Sequence, residues 1–188
     1  MRVFRCSRDV AARTMNVTTQ RCKRTGIMNT LSRRYKTNDR MLRYSRVNCD
    51  MFMDTYHLSI TSIRGFRHAQ LFVTDYNFVH MEIMQKRSDR PKALKHMFKS
   101  IGVPNSIIAD GAREQVKGES LRLYNQSSCQ IKQLERGTPW SNRAELWIGL
   151  VKKARVREQK ISNAPMKLRC YVGEWFCKVS NSLVREIY

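Results

Sequence analysis

The chain has 188 residues, about one domain's worth. Its 41% hydrophobic content can supply a packed core, and 36 Lys and Arg against 15 Asp and Glu leave a net charge of +21. No window carries the roughly 18 apolar residues a membrane span needs, the basic N-terminus lacks the apolar stretch of a secretory signal, and so large a positive balance points to a polyanionic partner, nucleic acid before an anionic membrane surface.

Residues 1–46 carry 13 Lys and Arg, with only Asp9 and Asp39 as acids, and show poor apolar periodicity. They read as a basic, weakly structured arm. Residues 47–188 read as one core domain. "VNCDMFMDTYHL" (47–58) is apolar on both faces, as a central buried strand would be. "AQLFVTD" (69–75) and "FVHMEIM" (78–84) flank an Asp-Tyr-Asn turn and form a hairpin. In the second of these, Val79, Met81 and Ile83 alternate with Phe78, His80 and Glu82, which gives one covered face and one wetter face.

Residues 88–104 spell a helix. Ser88 or Asp89 caps it, Pro91 suits its first turn, and Gly102 with Pro104 stops it. Ala93, Leu94, Met97, Phe98 and Ile101 form its apolar stripe. A short buried strand, 106–110, ends on Asp110. A helix over about 118–128, a strand over 130–135, a long helix from about 142 and a last helix over about 165–186 complete the chain. The last helix shows Leu168, Tyr171, Val172, Trp175, Phe176, Val179 and Leu183 on one face. The order β-β-β-α-β-α-β-α-α favours a mixed α/β sheet covered by helices.

The six cysteines, at 6, 22, 49, 129, 170 and 177, form no CxxC, and none of the four histidines (57, 68, 80, 96) neighbours a cysteine pair. A zinc knuckle is not expected, and reduced, mostly buried thiols are.

Three carboxylates carry the chemistry. On a helical wheel with Glu145 at zero, Leu146, Trp147, Leu150, Val151 and Ala154 fall between about 100° and 240°, a packing face. Gly149 and Lys152 share the side of Glu145, as does Val156. Glu145 is either displayed for a ligand or the partner of Asn142 in a capping box. Asp54 interrupts the most apolar strand, where an ionised carboxylate is costly unless paired or bound to a cation. Asp110 ends a buried strand, where ligands gather in α/β sheets, although an Asp there also caps turns. Brought together, the three would need a cation. Oxygen-only ligands favour Mg²⁺ or Mn²⁺, and two such ions about 4 Å apart serve phosphodiester chemistry.

The spacing of Asp54, Asp110 and Glu145, with 34 residues between the last two, resembles the D,D-35-E core of retroviral and retrotransposon integrases. The surrounding words "TNDRMLRYSR" (37–46), "IGVPNSIIAD" (101–110) and "TPWSNRAELWIGLVKKA" (138–154) look like integrases of copia-type LTR retrotransposons. The resemblance covers about residues 37–180. It implies an RNase H-like fold with a five-stranded mixed sheet flanked by helices. It also implies Mg²⁺-dependent (or Mn²⁺-dependent) 3′-end processing and strand transfer of element ends into target DNA. Asp54, Asp110 and Glu145 would hold two metal ions, and Lys152 would fall where the family's helix meets the DNA end. A homo-oligomer acting in the nucleus, part of or derived from a retrotransposon polyprotein, is expected on the same ground.

The sequence also departs from the family. Nothing before Asp54 matches the His-His-Cys-Cys zinc pattern of full integrases, and the spacing is one residue short. A degenerate DNA-binding remnant and an RNase H-like nuclease are the alternatives. Around the triad, Trp140 either stacks on a base or closes its loop onto the sheet. Arg143 meets phosphate or solvent. Lys153, Arg155 and Arg157 extend a DNA track or form a solvated helix face. Trp147, Trp175 and Phe176 are expected in the core, and His57 is read as structural.

Overall fold

The computed structural model describes residues 6–17, 44–110, 118–134 and 142–183. A first helix, α1 (Arg8–Val17), lies within the basic arm. The Ser7 hydroxyl accepts from Val10 N at 3.3 Å and Asp9 sits in the first turn, so local capping and the helix dipole support a helix that apolar periodicity does not reveal. Residues 44–46 contact the packed unit. Val103 N donates to Ser45 O at 2.8 Å, Arg46 bridges to Val103, and the Tyr44 ring lies 6.2 Å from Phe98.

Five strands form one sheet: β1 (Asp50–His57), β2 (His68–Thr74), β3 (Val79–Met84), β4 (Ser106–Ala109) and β5 (Gln130–Gln133), in the order β3-β2-β1-β4-β5. β1 to β3 make an antiparallel meander, and β4 pairs parallel with both β1 and β5. The strand bearing Asp54 is therefore central. The Asp-Tyr-Asn turn closes the hairpin, with Asn77 at φ 62°.

Helices α2 (Arg90–Ser100), α3 (Glu119–Gln126), α4 (Arg143–Ser162) and α5 (Arg169–Ser182) cover the sheet. From residue 47 onward the expected element order is the observed one. Strand alternation divides the core in two. Leu71, Val73, Val79, Met81 and Tyr56 pack with Ala144, Trp147, Ile148 and Val151 of α4 and with Cys170 and Cys177 of α5. Met51, Met53, Phe72, Ile107 and Ala109 face Leu94, Met97 and Phe98 of α2 and Tyr124 of α3. Each such large side chain contributes roughly 1.5–3 kcal/mol when withdrawn from water.

The α2 stripe is buried as expected, and the helix ends at Gly102, whose φ is 132°. A Cβ there would stand 2.7 Å from Ser45 O, so glycine both turns the chain and lets residues 44–46 pass.

The face of α5 differs from the expected one. Cys170, Gly173, Cys177 and Ser180 are buried, with Tyr171 and Phe176 flanking them, whereas Trp175 is 37% exposed. A Cβ on Gly173 would lie 3.1 Å from Met81 Cε and 3.3 Å from Val151 Cγ1. Small residues let α5 approach β3 closely, and larger apolar ones are pushed to the margin. Cys49, Cys129, Cys170 and Cys177 are buried free thiols, and burial pushes Cys129 and Cys177 up to about 12. Among the described residues, no helix is long and apolar enough to cross a membrane.

Candidate metal and nucleic-acid site

Asp54 lies on the α4 side of β1. Its alternate neighbours Phe52 and Tyr56 both pack against the core that α4 covers, while Met51 and Met53 face α2. β4 runs parallel to β1 with Met53 paired to Ala109. One step further along both strands sets Asp110 beside Asp54, and the alternation that buries Ala109 toward α2 turns Asp110 toward α4. Two carboxylates thus meet on one face of the sheet, at the C-terminal end of β4.

The third comes from the start of α4. Asn142 caps this helix, its side-chain oxygen accepting from Ala144 N at 3.0 Å. Ala144 is fully buried in the α4-side core and pins the first turn to the sheet. Glu145 follows as an exposed third helical residue, and its N–H donates to Asn142 O at 3.0 Å.

The carboxyl of Asp54 senses both of its fellows. It is raised to about 6, first by burial and then by the charges of Asp110 and Glu145. Thr55 N, 2.6 Å from Oδ1, and the charge of Arg90 offset part of the rise. Burial leads, and the two neighbouring negative charges add to it. Asp110 and Glu145 are exposed and Asp54 is half-buried, so the set forms an open rim. The three do not bring one ligand atom each within 4.8 Å of one another; among the described residues a different set does so. A single ion demands that tight grouping. Two ions about 4 Å apart spread their ligands more widely, and the all-oxygen donors suit Mg²⁺ or Mn²⁺.

The basic candidates separate. Lys152 Nζ stands 5.9 Å from the centre of the Tyr56 ring. Tyr56 is two residues beyond Asp54 on the same face, so Lys152 flanks the acidic rim. Arg143 is exposed, its Nη1 donates to the Asp75 carbonyl, and its Cζ lies 5.9 Å from the Phe52 ring. It ties the start of α4 to the β2–β3 turn. Lys153 is exposed on the outer side of α4. Arg157 pairs with Glu158 at 3.1 Å. Trp140 lies outside the described residues.

Arg155 is a correction. It is 6% exposed, beside the Tyr56 hydroxyl, and belongs to the packed side of α4 rather than a displayed track. Its misplacement follows from the packing face as a whole. Leu146 and Leu150, expected inside, are 65% and 40% exposed, while Ile148 and Arg155 are buried. The buried sector is turned by roughly 80° from the expected one at 100° per residue. Ala144, fully buried at the first turn, lies within this observed sector. Of the aromatic expectations, Trp147 is buried at 7% exposure. The His57 ring sits 4.8 Å from that of His68.

No protein-family model matches the chain, and no curated protein sequence does. Solved structures do. A chain of the simian T-cell lymphotropic virus intasome in complex with the PP2A regulatory subunit B56 gamma matches with a TM-score of 0.51 at 14% identity, over 71% of this chain and 51% of that one. The HTLV-2 integrase catalytic core domain in complex with magnesium matches in its trimeric form with a TM-score of 0.53 at 14% identity, over 71% of this chain and 86% of that one. Its dimeric form matches with the same score and identity, over 68% and 84%. This chain spans about half the length of the intasome chain. The five-stranded mixed sheet with flanking helices is the RNase H-like fold of integrase catalytic cores.

Proposed function

We propose that the protein is an integrase-like polynucleotidyl transferase of copia retrotransposon type that inserts element DNA ends into target DNA. The observation that carries this reading is the placement of Asp54 and Asp110 side by side under the start of α4, with Asp54 sensing both Asp110 and Glu145. Asp54, Asp110 and Glu145 would hold two Mg²⁺ or Mn²⁺ ions. Such ions supply Lewis-acid polarisation of a phosphodiester and an activated hydroxyl. In end processing, water adds to phosphorus and the bond to the 3′-oxygen breaks. In joining, the freed 3′-hydroxyl adds to a target phosphorus and displaces the target's own 3′-oxygen.

The chain's side chains prepare this chemistry. The exposed Asp110 and Glu145 leave the rim open to a DNA backbone, and Lys152 meets phosphate beside it. Arg143 braces the helix that carries Glu145. The net charge of +21 draws in the polyanion. Nuclear action as a homo-oligomer, within or derived from a retrotransposon polyprotein, belongs to the same proposal.

The test incubates the full chain with a labelled duplex bearing a 3′-hydroxyl end, a supercoiled plasmid, and Mn²⁺ or Mg²⁺. Joined products that vanish with Asp54→Asn support the reading. Metal-dependent nicking without joining would instead mark an RNase H-like nuclease. A second reading, DNA held without chemistry, draws on the looseness of the carboxylate set. It predicts binding that neither metal nor Asp54→Asn alters, and no cleavage.

A further inference from the structure

The tight set of ligand atoms noted above lies on the opposite face of the sheet. His80 and Glu82 are two residues apart on β3 and so project to one side. That side faces α2, because Val79 and Met81 pack toward α4 and α5. His96 reaches them from α2. Glu82 Oε1 lies 2.5 Å from His80 Nε2 and 2.6 Å from His96 Nδ1, and the three ligand atoms fall within 4.8 Å of one another. Glu82 retains 17% side-chain exposure, His80 23% and His96 63%. A cavity of about 340 Å³, lined by Glu82 and His96 together with Phe66, Gln85, Asp89 and Ala93, opens beside them.

We propose that His80, Glu82 and His96 form a binding site for a first-row divalent cation that prefers imidazole, Zn²⁺ above all, clamping α2 onto the edge strand β3. Two imidazole nitrogens and one carboxylate are a donor set that Zn²⁺ accepts with a fourth position left to water. Mg²⁺, which favours oxygen, does not compete well for it. At zinc–ligand distances of about 2.0–2.1 Å, tetrahedral ligand atoms stand about 3.3 Å apart. The two nitrogen–oxygen separations therefore need to widen by less than about 1 Å, within reach of ordinary χ adjustment. In the metal-free state each imidazole donates an N–H to Glu82; to bind the ion that nitrogen presents its lone pair instead, and the ring proton moves to the other nitrogen. The cavity beside the set is also lined by Asp89 and Lys92, which pair with each other at 3.2 Å. The sheet separates this site from Asp54, Asp110 and Glu145, so it stands independently of any phosphoryl-transfer activity.

The test is a titration of the full chain with Zn²⁺ alone, followed by calorimetry, and with Co²⁺, followed by visible absorption. One Zn²⁺ per chain is expected, unchanged in Asp54→Asn and Glu145→Gln. His96→Gln alters an exposed side chain and preserves the fold by circular dichroism. It should lower affinity at least about 100-fold, beyond the 10–100-fold that follows loss of a residue that merely orients a ligand. Glu82→Gln should do the same. Co²⁺ should give tetrahedral visible bands without thiolate charge transfer. Unchanged affinity in His96→Gln and Glu82→Gln, thiolate bands that assign the metal to cysteine, or no saturable Zn²⁺ binding would each overturn the proposal.

Discussion

Asp54 sits in the middle of the central strand, where an ionised carboxylate is costly. Its folded-state value of about 6 lies above the roughly 3.9 of an unfolded chain. Between about pH 4 and 6 the native protein holds the extra proton, so the metal-free protein loses stability as pH rises through that window. Melting curves in a chelator should show this slope, and Asp54→Asn should remove it and raise the melting temperature at pH 7. The electrostatic cost at Asp54 was legible in the sequence, because an acid in so apolar a strand asks for a partner. Arg155 was not legible in the same way. A charged residue on an amphipathic helix normally faces water, and only the rotated packing face buries it. Arg155→Met should therefore leave duplex-DNA affinity unchanged, whereas Lys152→Ala should weaken it and reduce the salt slope by about one. Filter binding at several salt concentrations measures both.

At the scale of elements, strand pattern and helix existence were readable from residue 47 onward, as was the buried face of α2, while the orientations of α4 and α5 were not. Alternation in β3 announced the covered face of Val79 and Met81, and the wetter face of His80 and Glu82 is the one that meets α2. Spacing against cysteine pairs does not reveal a metal-ligand set drawn from one strand and one helix. The signal was there as His-x-Glu at strand spacing, but the fold is needed to bring His96 to it. For α4 and α5, wheels weighted by large apolar residues point the wrong way, because small residues such as Ala144 and Gly173 occupy the buried faces, and Gly173 lets α5 seat closely on Met81 and Val151. Two variants check the observed faces by denaturant unfolding. Gly173→Val drives a branched side chain into Met81 and Val151 and should cost about 1–3 kcal/mol. Leu146→Glu, on the outer side of α4, should change stability by no more than about 0.5 kcal/mol.

The whole molecule joins a strongly basic chain to an acidic rim on one face of a five-stranded sheet. If the proposed function holds and charge steers DNA to the rim, affinity for non-specific duplex should fall about 10³-fold between 50 and 200 mM salt with some six phosphates contacted. The fold class followed from the alternating order of strands and helices, whereas the proposed triad rests on words around Glu145 that a wheel alone would have left as a capping box. The geometry of the rim was beyond the sequence, since only the parallel register of β1 with β4 brings Asp110 beside Asp54. Anomalous diffraction from crystals soaked in Mn²⁺ bears on that geometry most directly. Two Mn²⁺ peaks about 4 Å apart, ligated by Asp54, Asp110 and Glu145, are the predicted result. Bare carboxylates there, with Mn²⁺ bound elsewhere on the same molecule, would contradict it.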